Sequence, residues 1–231
     1  MASICIIPAR GGSKRIPRKN IKPFLGKPII AYSIEAALAS GTFDEVMVST
    51  DDQEIAEVSK RFGANVPFLR SPELGGDMVM TAEVLIEVLD RYVELGMVFG
   101  RCCCLYATAP FINPERLKSG MHMLEEEGTD SVLPVVRFSY PPQRGQVIRN
   151  GHVEMLHPEN YNVRSQDLEP MYHDVGQFYC IKSDVLRQER RLFCGQTCPV
   201  ELPESEVQDI DSEEDWKIAE MKYQILSARR R

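Results

Sequence analysis

No stretch of this chain approaches the ~20 consecutive apolar residues that a membrane-spanning helix needs. Internal repeats and low-complexity segments are also missing, which sets aside fibrous and disordered classes. Positive charge is scarce: 27 Lys and Arg against 34 Asp and Glu leave a net charge of −7. That balance argues against a broad nucleic-acid or membrane-surface role. C-x-x-C pairs are absent, so a zinc ribbon is excluded. Seven cysteines, three of them consecutive at Cys102, Cys103 and Cys104, do not make a disulfide framework. Cys194 and Cys198 read as buried or free thiols, and the cytoplasm is the expected compartment. A signal peptide is not expected, because charge arrives at Arg10 before a long apolar stretch forms. The patterns G-x-x-x-x-G-K-[ST] and G-x-G-x-x-G are absent too, which removes P-loop NTPases and dinucleotide-binding dehydrogenases.

What remains is ordinary globular material: 231 residues, 43% hydrophobic and 26% charged, enough for one domain with a sizeable core. The apolar run Ile4–Ile7 predicts a buried strand ending at Pro8, and Pro28 opens a helix to about Ser40, stopped by Gly41. Strands follow at Glu45–Ser49, Val66–Leu69, Cys102–Tyr106 and Ser131–Val136. Helices fill the gaps at Glu54–Phe62, capped by Asp52, at Thr81–Leu95 and at Pro114–Glu127. This alternation predicts an α/β fold with a largely parallel sheet covered on both faces. Residues 137–175, interrupted by Pro141, Pro142, Pro158 and Pro170, predict a projecting appendage with a hairpin turning at Asn150-Gly151. The core, residues 1–136 and 176–231, resumes with strands at Gln177–Ile181 and Pro199–Leu202. A final helix begins at Ser212, whose spacing to Asp215 is a capping box.

The stretch with the strongest chemistry follows the first strand. Gly11 and Gly12 are accompanied by six cations, Arg10, Lys14, Arg15, Arg18, Lys19 and Lys22, in a chain that is acidic overall. Glycines let backbone N–H groups approach an anion, and Arg10, Lys14 and Lys19 add charge for a run of phosphates. The competing reading is a solvated basic turn. The position of the loop, at the carboxyl end of a first α/β strand where such folds bind ligands, favours the phosphate reading.

The second feature is Asp209-Ile210-Asp211. In extended backbone both carboxylates face one side while Ile210 packs on the other, and two hard oxygens suit Mg²⁺. An isolated D-x-D is also explained by Asp211 starting the helix and Asp209 being a surface charge.

The run from Pro8 to Lys14 with Pro17 to Asn20 resembles the signature loop of the cytidylyltransferases that activate nine-carbon acidic sugars. The segments Glu159–Asn162, Arg164–Asp167, Tyr172–Asp174 and Gly176–Tyr179 resemble the pseudaminic acid branch, and the likeness runs from Ile4 to about Ala219. His173-Asp-Val-Gly176 and Ala107-Thr-Ala-Pro110 depart from the sialic acid enzymes where the sugar should bind. The resemblance implies a three-layer Rossmann-like nucleotidyltransferase fold, a dimerisation hairpin in a homodimer, CTP and an acidic nine-carbon sugar as substrates, and Mg²⁺ on Asp209 and Asp211. It assigns Arg10, Lys14, Lys19 and Asp211 to catalysis. Nucleotide contacts would come from Ala9, Gly11, Gly12, Ser13, Asn20, Arg70, Asp77 and Thr81. Sugar contacts would come from Ala107, Thr108, Arg164, Gln166, His173 and Gln177, with Arg164 offering a bidentate partner for the sugar carboxylate. Simpler readings stand beside these: a turn-holding Asn20, a helix-capping Thr81, a surface Arg70, a hydrogen-bonding His173. A nucleotide-sugar-dependent glycosyltransferase shares the D-x-D but has no triphosphate for the basic loop to cradle, and a non-catalytic nucleotide sensor does not need both features.

Overall fold

The computed structural model describes residues 1–76 and 78–229. The first strand, Ser3–Pro8 (β1), has Ile4, Cys5, Ile6 and Ile7 fully buried, as a strand covered on both faces requires. After the basic loop, a short hairpin of Pro23–Phe24 (β2) and Lys27–Pro28 (β3) leads into the helix Ile29–Ser40 (α1). Gly41 ends α1 in the left-handed region, at φ 61°. Glu45–Ser49 (β4) and Gln53–Arg61 (α2) follow, and Asp52 caps α2 by accepting from Ile55 N–H at 3.0 Å.

The helix Thr81–Glu94 (α3), the strand Arg101–Leu105 (β5), the helix Pro114–Met123 (α4) and the strand Ser131–Arg137 (β6) continue the alternation. The excursion holds the hairpin Gln146–Arg149 (β7) and His152–Met155 (β8), turning at Asn150-Gly151, both with positive φ. Tyr172–Asp174 (β9), Phe178–Lys182 (β10), the helix Ser183–Glu189 (α5), Thr197–Glu201 (β11) and the helix Glu213–Arg229 (α6) complete the chain.

Among the described residues the main sheet has the order β11-β6-β10-β5-β1-β4, with β9 also paired to β6. The pairs β11–β6, β5–β1 and β1–β4 are parallel, whereas β10 runs antiparallel between β5 and β6. One face is packed by α1, α2 and α4 through Ile34, Ile55 and Leu117, and the other by α3 and α5 through Leu85, Leu89 and Leu186. The expected α/β class, three layers and mostly parallel sheet are borne out. A third apolar cluster, of Ile16, Phe24, Ile29, Tyr32, Phe111, Ile210, Trp216 and Ala219, seats α6 over the basic loop.

Three local expectations differ. Val66–Leu69 is not a strand: only Asn65 bridges to Met47, because Pro67 has no N–H to extend the ladder. The helix α4 stops at Met123 instead of Glu127, before three successive glutamates that the negative end of a helix dipole disfavours. The return to the core begins at Tyr172, where β9 pairs with the far end of β6. None of the described helices is long and apolar enough to cross a membrane.

Candidate active site

β1 delivers the basic loop to the carboxyl edge of the sheet, and the loop is then held by acids from the neighbouring strand. Gly11 N–H donates to Asp51 Oδ1 at 2.8 Å, so this amide is committed to the loop's own support. A Cβ on Gly11 would lie 2.8 Å from Asp52 Oδ2, which explains the glycine sterically. A Cβ on Gly12 would meet nothing within 4 Å, so no protein neighbour demands a glycine there. Ala9 is fully buried and donates its N–H to Ser49 O at 2.9 Å, whereas Ser13 lines the cavity. Asn20 is buried and its Nδ2 donates to Arg10 O at 2.9 Å, so its side chain ties the two ends of the loop together.

The six cations do not act as one group. Arg10, Lys14, Arg15 and Lys19 line a cavity of about 310 Å³. Arg18, at φ 56°, turns outward to Asp52, with Nη–Oδ contacts of 2.5 and 3.0 Å, and to Glu54. The Arg18 hydrogen bond holds the Asp52 carboxyl below the usual range. Lys22 bonds both carboxylate oxygens of Glu213 at 2.6 Å and stands over the Trp216 ring.

Next to Arg15 and Lys19 stands the aspartate pair. Ile210 is 1% exposed while Asp209 is exposed and Asp211 half-buried, the alternation expected of extended backbone. Lys19 Nζ donates to Ile210 O at 2.7 Å and lies 3.7 Å from Asp211 Oδ1; Arg15 Nη1 lies 2.7 Å from Asp211 Oδ2. Burial lowers the Lys19 pKa below the ordinary lysine value, and the charges of Asp211 and Asp209 oppose that shift. Ser212 and Asp215 cap each other reciprocally: Ser212 N–H donates to Asp215 Oδ2 at 2.8 Å, and Asp215 N–H donates back to Ser212 Oγ at 3.2 Å. Asp211 N–H also donates to Asp215 Oδ2 at 3.1 Å, while its carboxylate is turned to Arg15 and Lys19.

Arg70 and Thr81 reach the same cavity. Arg70 is 7% exposed, with Nε donating to Ser49 Oγ at 3.1 Å and Nη2 to Ser49 O at 2.6 Å. Burial pulls its pKa down while Asp51 and Glu87 pull it up. The Thr81 hydroxyl pairs with the Tyr106 hydroxyl at 3.2 Å, and no side chain caps α3. Asp77 lies outside the described residues. Ala107 and Thr108, expected at the sugar, line this same cavity.

The remaining expected sugar residues are dispersed. Gln177 is buried, and its Nε2 donates to Glu206 O at 2.7 Å, tethering the segment that carries the aspartates. His173 and Asp209 border a second cavity of about 280 Å³. Arg164 is bonded to Asp167 at 2.7 and 3.2 Å on the exposed excursion, and Gln166 borders another cleft there with Arg137 and Phe138. Tyr106 escaped the sequence reading because a tyrosine at a strand end looks like core. Burial pushes its phenol up to about 12, so it stays neutral. Asp52 shapes the loop as well as capping α2, and Asp51 holds the Gly11 amide, roles that the capping pattern does not signal.

Among the described residues, three or more His, Cys, Asp or Glu side chains do not gather into a metal cage. Two hard carboxylates beside a phosphate-sized cationic cavity nevertheless suit Mg²⁺, which is commonly held by one or two carboxylates together with substrate phosphates.

Comparison with known proteins agrees with this geometry. The cytidylyltransferase family model matches residues 4–193. The chain is 42% identical over 226 residues to the pseudaminic acid cytidylyltransferase of Campylobacter jejuni serotype O:2, covering 97% of each chain. It is 34% identical to the CMP-N,N'-diacetyllegionaminic acid synthase of Legionella pneumophila, again over 97% of each. Among solved structures, CMP:2-keto-3-deoxy-manno-octonic acid synthetase in complex with CTP superposes with a TM-score of 0.72, covering 99% of this chain and 100% of the other. At 19% identity that likeness shows the shared fold. The chain belongs to the cytidylyltransferase family.

Proposed function

We propose that this enzyme transfers CMP from CTP to the anomeric hydroxyl of a nine-carbon acidic sugar, pseudaminic acid, with release of pyrophosphate. The observation that carries this reading is the cavity lined by Arg10, Lys14, Arg15 and Lys19, two of which, Arg15 and Lys19, also reach Asp211. Enzymes that move nucleotidyl groups work mainly by positioning and charge stabilisation. Arg10, Lys14 and Lys19 neutralise the triphosphate and the charge that develops as the sugar hydroxyl attacks the α-phosphorus in line. Gly12 gives the phosphates backbone access, and Ser13, whose N–H is donated to Gly11 O, offers its hydroxyl. Asn20 holds the loop in shape, and Arg70 with Thr81 borders the nucleoside. Asp209 and Asp211 would hold Mg²⁺, which supplies charge neutralisation at the phosphates and lowers the pKa of a bound hydroxyl.

The compartment we infer is the cytoplasm, supported by seven cysteines that are all free thiols. The active form is a homodimer built on the excursion over residues 137–175. A two-stranded hairpin is marginal by itself, yet Ile148 and Val153 on β7 and β8 are 77% and 64% exposed. A second copy would cover them.

The test is direct. Purified chain is incubated with Mg²⁺, each of the four nucleoside triphosphates and a panel of nine-carbon α-keto acid sugars, and pyrophosphate is measured. Release with CTP and pseudaminic acid is expected, and Asp211→Asn should abolish it while leaving the melting curve intact. Absence of pyrophosphate with every acidic sugar would refute the reading.

A further inference from the structure

The cavity beside the aspartates carries charge that the nucleotide site leaves unused. β6 ends at Arg137, and β9 runs antiparallel to that end, with Arg137 opposite Tyr172 and Val136 opposite His173. Phe138 N–H donates to Met171 O at 3.0 Å, and the Phe138 and His173 rings stand 4.7 Å apart. Val136, Arg137, Phe138 and His173, with Asp209 and with Lys222 from α6, wall the space of about 280 Å³. Asp209 borders this space, and its charge is felt by Lys19, which lines the nucleotide cavity. Lys222 Nζ donates to Val207 O at 2.8 Å, which fixes the ammonium and leaves its other N–H bonds for a ligand. Neither Arg137 nor Lys222 forms an ion pair among the described residues, and the acids bordering the cavity are Glu204 and Asp209. Arg164, by contrast, already has both arms on Asp167.

We propose that Arg137, backed by Lys222, binds the carboxylate of the acidic sugar next to Asp209, within the same subunit. This inference rests on the reaction proposed above. The guanidinium fork matches a carboxylate in two hydrogen bonds, and the Lys222 ammonium adds a second charge. The Phe138 and His173 rings, tilted by 51° to each other, lie beside them as a wall for the sugar's less polar side. The preference for an acid over a neutral sugar therefore resides in the end of β6 and in α6.

Two measurements decide it. Titration calorimetry compares pseudaminic acid with its C1 methyl ester on wild-type and Arg137→Ala chains, so that binding is read without turnover. The acid should bind Arg137→Ala roughly tenfold or more weaker than wild type, matching loss of a charge-assisted pair. The ester should bind both chains alike. In pyrophosphate assays, Arg137→Ala and Lys222→Met should raise KM for the sugar, the first more than the second, while KM for CTP stays within about twofold. Arg137→Lys should recover part of the loss. If the acid and ester bind wild type equally, or if Arg164→Ala and not Arg137→Ala weakens the acid, the proposal is wrong. Should no sugar release pyrophosphate, the reaction falls, and the calorimetric comparison still decides the role of Arg137.

Discussion

Replacing Lys19 by Met separates its structural from its catalytic role. The side chain is 21% exposed and joins the basic loop to the aspartate segment through Ile210 O at 2.7 Å and Asp211 at 3.7 Å. Losing a charge-assisted hydrogen bond costs about 1.5–3 kcal/mol. Part of that is offset because folding already places the ammonium where burial lowers its pKa, and methionine removes that desolvation cost. The net loss of stability is about 1 kcal/mol, a fall of roughly 2–4 °C in Tm for a chain of this size. Removing a preorganised charge from a developing anion costs far more, about 2.7–4 kcal/mol or 10²–10³ in rate. Calorimetric melting and a pyrophosphate assay at saturating CTP and pseudaminic acid measure the two effects side by side. A turnover within about threefold of wild type would make Lys19 a mere strut and remove the charge-stabilisation argument. The same residue sets a pH dependence. Because its folded pKa lies below that of a free lysine, the proton leaves the folded chain first, and activity should decline in that alkaline window. The unfolded chain binds the proton more tightly there, so the fold gains stability over the same window. Lys19→Arg keeps the charge and should move the decline to higher pH.

Two further substitutions probe the supports of the site. Asp52→Asn keeps an N-cap on α2 but loses the ion pair with Arg18, and should cost about 1 kcal/mol in urea unfolding at pH 7. The folded pKa of Asp52 is depressed, so its contribution is present above the ordinary aspartate pKa and is lost as pH falls through the folded value. The gap between wild type and variant should therefore close in acid, and a constant gap would contradict the assignment. Trp216 is 4% exposed and packs edge-on against Phe24 at 5.5 Å. Trp216→Ala should cost about 3–5 kcal/mol and lower turnover as well, since the same cluster seats Ile210 between the aspartates; calorimetry and the pyrophosphate assay check both.

Local signals in the sequence were clear where one short-range rule governs. Gly41, Asp52, the Ser212–Asp215 box and Asn150-Gly151 each do what their chemistry specifies. Signals failed where a ladder needed a donor, as at Pro67, or where a strand was too short to show alternation, as at Tyr172–Asp174. The basic loop and the aspartate pair were both legible because each concentrates one charge in a few residues. Their meeting was not written locally: it depends on Ile16 and Ile210 sharing one apolar cluster.

From residue order alone came the alternating strands and helices, the buried first strand, the hairpin at Asn150-Gly151 and the two charged segments. Tertiary structure decided the antiparallel insertion of β10 and which cations face the cavity. A loop has no periodic face, so the direction of each side chain is set by its distant partners. Arg18 turns to Asp52, 34 residues away, and Lys22 to Glu213, 191 residues away, while Arg10, Lys14, Arg15 and Lys19 are gathered on the side where Asp211 lies.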